Sequence, residues 1–151
     1  NDVELTGRDF STESDEARLA EAGFDIRRAR PEDRESITAL CLDQGHDGWA
    51  PETALALEKS PVPVFVALKE GEVRAFATHS VCGPVHFGPM LTHVELRGLG
   101  IGSVLLKACL RDWQAAGVPR CEITWAGPLT FYARSIGATM GKAFWTYHKS
   151  L

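Results

Sequence analysis

The run Arg97-Gly98-Leu99-Gly100-Ile101-Gly102 lies between an apolar, strand-like stretch and a long helical pattern, and it constrains this chain more than any other feature. Glycine at alternate positions removes the side chains that hold a backbone away from a ligand. Ser103-Val104-Leu105-Leu106-Lys107-Ala108 then opens a helix. The first N–H groups of a helix lack intrahelical partners, and its dipole favours an anion there. With Arg97 adding a fixed positive charge, the turn reads as a pyrophosphate cradle. Two other phosphate loops match poorly. A Walker-type loop ends in Gly-Lys-Ser/Thr, whereas Ser103 here follows Gly102 directly. A dinucleotide fingerprint needs a first strand and an acidic residue about 20 positions on, where this chain has Cys121-Glu122. Taken alone, the turn also fits a glycine-rich connection with no ligand.

A second segment, Phe131-Tyr132-Ala133-Arg134-Ser135-Ile136-Gly137-Ala138, reads as a short helix carrying two aromatic residues. In this order and context the two segments resemble the acetyl-CoA loop and the tyrosine-bearing helix of the GCN5-related N-acetyltransferases (GNAT). The resemblance extends more loosely over residues 24–149. It implies an α/β (mixed α+β) GNAT fold: a central, mostly antiparallel twisted sheet with a β-bulge and helices on both faces.

A chain of 151 residues fits one domain with a real core. The net charge of −4 and the lack of a basic run give no attraction to nucleic acid. No apolar stretch approaches the roughly 20 residues of a membrane span, so no membrane partner is expected. Cys41, Cys82, Cys109 and Cys121 are widely spaced and read as free thiols of a reducing compartment, hence the cytoplasm. Residues 1–22 are acidic and read as a linker or short helical extension, with a helix over Ser14–Ala22 stopped by Gly23. The transferase-like domain is expected over 23–151, with a preceding domain in a longer chain or a homodimer as further partners.

Along that domain, Phe24–Arg30 alternates like an outer strand. Pro31, Glu32 and Asp33 open a helix reaching about Leu42 that buries Ile37, Leu40 and Cys41. A loop follows, and Pro51 opens a second helix to about Glu58; the resemblance makes this helix–loop–helix the acceptor pocket. Val64–Leu68 and Val73–His79 form a hairpin around Glu70-Gly71. Val85–His93 is the strand feeding the cradle, with a bulge at Gly88-Pro89 because proline cannot donate to a ladder. The helix over 100–116 puts Ile101, Val104, Leu105, Ala108, Cys109 and Trp113 inward and ends at Gly117 and Pro119. Cys121–Trp125 is a strand with Cys121, Ile123 and Trp125 on one face. The last strand is expected over 142–148. His79, His86 and His93 fall on two strands and a turn, which gives no metal site.

The proposed chemistry is acetyl transfer from acetyl-CoA, as cosubstrate, to an amine acceptor. It needs a proton acceptor, donors for the oxyanion and an acid for the leaving thiolate. The resemblance assigns Arg97, Gly98, Leu99, Gly100, Ile101, Gly102 and Ser103 to the cofactor phosphates. Free N–H groups of Met90, Leu91 or Thr92 at the bulge supply oxyanion donors or pair with the pantetheine arm. Tyr132 stands where the family keeps its thiolate-protonating tyrosine. Phe131 packs in the core or flanks the cofactor, and Arg134 reaches a CoA phosphate or the solvent. His86 falls where the histone-acetylating branch places its basic glutamate, with Glu122 on the next strand and a water chain as rivals. Trp125 replaces an asparagine common in the family, so the acceptor chemistry is less settled than the CoA loop. The leading function is an N-acetyltransferase of a small-molecule primary amine, by direct attack in a ternary complex. The alternatives are a protein-amine acetyltransferase and a non-catalytic acyl-CoA-binding regulatory module.

Overall fold

The computed structural model describes residues 2–141 together with 143, 147 and 149. The strand expected over 142–148 falls largely on residues outside those described.

The central strands follow from their hydrophobic patterns. β2 (Phe24–Arg28), β3 (Val64–Lys69), β4 (Glu72–His79) and β5 (His86–Thr92) form successive antiparallel neighbours, with β3 and β4 joined tightly through Glu70-Gly71. Period-two alternation divides β3 between two cores. Val64, Val66 and Leu68 join the cluster beneath α2 (Arg34–Asp43) and α3 (Trp49–Ala56), while Ala67 joins the opposite cluster. A 3₁₀ turn at Pro31–Asp33 precedes α2, where a continuous helix from Pro31 was expected. Asp33 explains the tighter start: its carboxylate accepts from the Arg30 N–H at 2.7 Å and from both Arg27 Nη atoms at 2.7 and 2.9 Å.

β5 carries the expected bulge. Ala77 pairs with Met90 and His79 with Phe87, so Thr78 alone faces both Gly88 and Pro89. The Thr78 hydroxyl donates to the Pro89 carbonyl at 2.9 Å, satisfying an acceptor inside the irregularity. The extra residue resets the alternation, so Phe87 and Met90 pack on the same side while Leu91 packs on the other.

β6 (Arg120–Ile123) pairs parallel to β5 only at His86–Glu122 and Phe87–Ile123. Beyond these pairs the two strands part, and the rest of β5 has an open side. The sheet is therefore mixed, with one parallel pair. Trp125 does not continue the buried face of Cys121 and Ile123 as expected. It has φ +51° and is 91% exposed, because the chain turns out of the strand after Ile123.

Residues 1–22, expected as a linker or short helical extension, hold the helix α1 (Glu13–Glu21) and also an edge strand, β1 (Asp2–Glu4). β1 pairs antiparallel with β6, giving the order β1-β6-β5-β4-β3-β2. Leu5, Phe10 and Leu19 are buried in one cluster with α4 (Ile101–Ala115). Arg111 of α4 donates to the Phe10 carbonyl at 2.8 Å, and Gln114 donates to the Leu5 and Arg8 carbonyls at 2.7 and 2.9 Å. This cover explains why Leu106 and Leu110 are buried beyond the expected inward set. The C-terminal half of α4 is tied to the sheet through Asp112, which holds Arg28 bidentately at 2.6 Å and His79 Nε2 at 3.1 Å. Burial opposes the Asp112 charge, but bonds from His79 and Arg28 and the Arg28 charge pull its carboxyl down to about 2. Among the described residues no helix is long and apolar enough to cross a membrane.

Candidate active site

A cleft of about 1020 Å³ opens where β5 and β6 diverge. It is walled by β5 residues Gly88–Thr92, the glycine turn, the β6–α5 connection with α5 (Leu129–Ile136), and the α2–α3 connection.

The turn has the geometry that its sequence demands. Gly98 and Gly100 sit at φ +85° and +88°, a region L side chains rarely adopt, and Gly100 is the residue preceding α4. The first helical bond runs from the Val104 N–H to the Gly100 carbonyl at 3.2 Å. The N–H groups of Ile101, Gly102 and Ser103 therefore precede the helical ladder, at the end where the dipole favours an anion. Gly102 meets the other walls: a Cβ there would lie 3.2 Å from Met90 Cε, 3.5 Å from Phe131 Cζ and 3.6 Å from Thr92 Oγ1. The turn, the bulged strand and the short helix thus converge on one point.

On β5 the His93 N–H bonds to the Arg74 carbonyl at 2.9 Å, toward β4. Strand alternation turns the Leu91 N–H the same way and leaves those of Met90 and Thr92 toward the open slot. Tyr132 is buried, with its ring edge-on to Phe87 at 6.2 Å and to Phe131 at 5.0 Å. Its hydroxyl has no hydrogen-bond partner among the described residues, and burial pushes its pKa up to about 12.

Of the residues singled out from sequence, Met90, Leu91, Thr92, Arg97, Gly98, Gly100, Ile101, Gly102, Ser103, Phe131 and Tyr132 line this cleft. Leu99, Arg134 and His86 do not. Leu99 is exposed beside the turn, and Arg134 lies on the exposed side of α5. His86 packs its ring against Gly83, and its Nε2 lies 3.5 Å from Glu122 Oε2 across the short parallel pair. The two rival proton acceptors are thus partners, and neither lines the cleft. His79 and His93 lie in separate networks, beside Asp112 and Asp43.

Several cleft residues carried no signal of their own in the sequence. His46, Trp49 and Glu52 line it from the α2–α3 connection and the first turn of α3, where the resemblance located a pocket without naming residues. Arg18 of α1 donates to the Leu99 carbonyl at 3.0 Å from 81 residues away, and its Nη2 lies 3.0 Å from where a Gly100 Cβ would stand. It therefore places a second guanidinium beside the turn and fixes the Leu99 carbonyl. Three of the four thiols are buried, and burial raises Cys41 to about 11, Cys121 to about 12 and Cys109 well above its usual value. These thiols are inert spacers; Cys82 is exposed and lines the cleft.

The model of the acetyltransferase (GNAT) family matches residues 25–137. No curated protein matches the sequence. Among solved structures, the chain resembles a GCN5-related glucosamine N-acetyltransferase region of a fungal multi-domain GH3 β-N-acetylglucosaminidase. The TM-score is 0.65 at 17% identity, covering 89% of this chain but only 18% of that one. An aminoglycoside acetyltransferase from an uncultured soil metagenomic sample, in complex with trehalose, aligns at TM-score 0.61 and 16% identity over 87% and 98% of the two chains. The aminoglycoside N-acetyltransferase AAC(6')-Iy in complex with CoA aligns at 0.60 and 16% over 85% and 95%. At such identities these likenesses establish the fold.

Proposed function

The chain belongs to the GNAT acetyltransferase family, and from that premise we propose that it is a cytoplasmic enzyme transferring the acetyl group of acetyl-CoA to a small-molecule primary amine. The observation that carries this reading is the convergence of the glycine turn, the open side of β5 and Tyr132 on one cleft. The residues fit the cosubstrate. The N–H groups of Ile101, Gly102 and Ser103, with Arg97 lining the same wall, suit a pyrophosphate. The slot beside Met90 and Thr92 suits an extended arm that pairs as an added strand. Acetyl-CoA supplies an acyl group on a thiol leaving group. Solved relatives named for amine acetylation, one of them holding CoA, support the reading.

In this scheme Tyr132 holds a proton for the departing thiolate, which its burial keeps on the oxygen at neutral pH. The Met90 or Thr92 N–H steadies the carbonyl oxygen as charge develops there. The His86–Glu122 pair accepts the amine proton through water, since neither side chain lines the cleft. Attack is direct, in a ternary complex. Titration calorimetry with acetyl-CoA, followed by thiol release across a panel of amines, tests the scheme. Binding with turnover supports it; binding without turnover on any amine reduces it to an acyl-CoA-binding module, and no binding overturns it.

A further inference from the structure

The acetyl-transfer reading names no residue that recognises the acceptor. Arg97 and the α4 N-terminus line the cleft, and Glu52 is the only carboxylate among the described lining residues. Glu52 is half-buried in the first turn of α3 and makes no hydrogen bond or ion pair among the described residues. A carboxylate held in a concave wall without a partner gains most from a cation that arrives there.

Beside it, His46 and Trp49 stack with ring centroids 4.1 Å apart and planes 4° from parallel. The Trp49 N–H to His46 carbonyl bond at 2.9 Å fixes the turn that brings them together. From the β6–α5 connection Trp125 adds an indole that is 91% exposed and lines the same cleft. Its backbone sits at φ +51°. A bulky residue in that region is strained by about 1–3 kcal/mol. Packing does not compensate, because the side chain is almost wholly in solvent. Strain without burial at a cleft mouth points to a contact made only when something occupies the cleft.

We propose that Glu52, with the His46–Trp49 stack and Trp125, forms an acceptor subsite selecting amines that are cationic at neutral pH and carried on a ring with an apolar face. Glu52 anchors a charged group of the acceptor, and the indoles cover the ring. An amino sugar and an arylalkylamine share this chemistry. The proposal rests on the acetyl-transfer reading for turnover but not for binding, so the two can fail separately.

The experiment titrates the protein, without acyl donor, with glucosamine, tyramine, butylamine and taurine, a zwitterion whose sulfonate faces Glu52's charge wherever its ammonium binds, by calorimetry and ligand-observed NMR. Thiol-release kinetics at saturating acetyl-CoA are measured in parallel. Ring-bearing cations should bind more tightly than butylamine, and taurine should not bind. Glu52→Gln should weaken them about 10- to 100-fold in Kd, the range of one charge-assisted contact, with acetyl-CoA affinity unchanged. Trp125→Ala, which removes an exposed side chain and so spares the fold, should erase the preference of ring over linear amines. Glucosamine and tyramine separate the two ring sources by their relative sensitivity to Trp125→Ala. Equal binding of ring and linear amines, or a Kd unmoved by Glu52→Gln, would overturn the proposal. Ring-selective, Glu52-dependent binding with no turnover would uphold the subsite while sinking the enzyme.

Discussion

Tyr132→Phe deletes one hydroxyl from a ring that is otherwise core. The ring lies against Phe87 and Phe131, and its hydroxyl bonds to no described group. Removing it therefore orphans no partner, and stability should change by less than about 1 kcal/mol. The rate effect can be bounded from the same environment. General acid assistance is typically worth about 10²- to 10⁴-fold and is greatest when the acid titrates near the working pH. Burial lifts Tyr132 to about 12, which keeps it protonated but makes it a weak acid, so the loss should sit near the low end. About 100-fold corresponds to roughly 2.7 kcal/mol of transition-state free energy. The sign of the pH dependence follows: the protonated form is active, so Tyr132 should produce no basic limb until the pH nears its raised value. Single-turnover acetylation of the best amine by both proteins measures the chemical step without interference from product release. The acetyl-CoA dissociation constant should not move. A thioester with a more acidic leaving thiol should recover part of the loss. Equal single-turnover rates would refute Tyr132 as the acid, and a loss that tracks weakened acetyl-CoA binding would refute the geometry.

Gly100→Val should weaken acetyl-CoA at least about tenfold by calorimetry, because φ +88° costs an L residue about 1–2 kcal/mol and the new Cβ meets Arg18. The fold should survive with a modest fall in Tm. Arg18→Ala should lower acetyl-CoA affinity through the loosened Leu99 carbonyl, and Arg18→Lys should restore only part of it, since a lysine lacks the forked geometry. An unchanged affinity in Arg18→Ala would detach α1 from the site. Asp112 contributes stability above the usual carboxylate value of 3.8 that is lost as pH falls toward its folded value of about 2. That difference is worth about 2 kcal/mol. Asp112→Asn should accordingly lower Tm at pH 7, and the gap from the parent should close near pH 2.

The parts of this protein legible in sequence were those specified by local chemistry. Alternate glycines before a helical pattern could only make a tight turn at a helix N-terminus, and Gly98 and Gly100 adopt the positive φ that this requires. Gly88-Pro89 announced its bulge because proline withholds an N–H, and the ladder slips there. The strand pairs around Glu70-Gly71 and the inward side of α4 followed from periods of two and 3.6. What the sequence could not show were contacts whose partners lie far apart along it. Asp2–Glu4 is too short to register as a strand until β6 offers its edge, and Leu106 and Leu110 look exposed until residues 5–19 cover them. Trp125 extends an apolar alternation on paper, yet the chain leaves the sheet after Ile123 and turns it into solvent. Arg18 reaches the turn, and Glu52 enters the cleft, only because packing of α1 and α3 against the sheet brings them there. Backbone preferences act between neighbours in sequence, whereas a site is assembled by burial, which is indifferent to sequence distance.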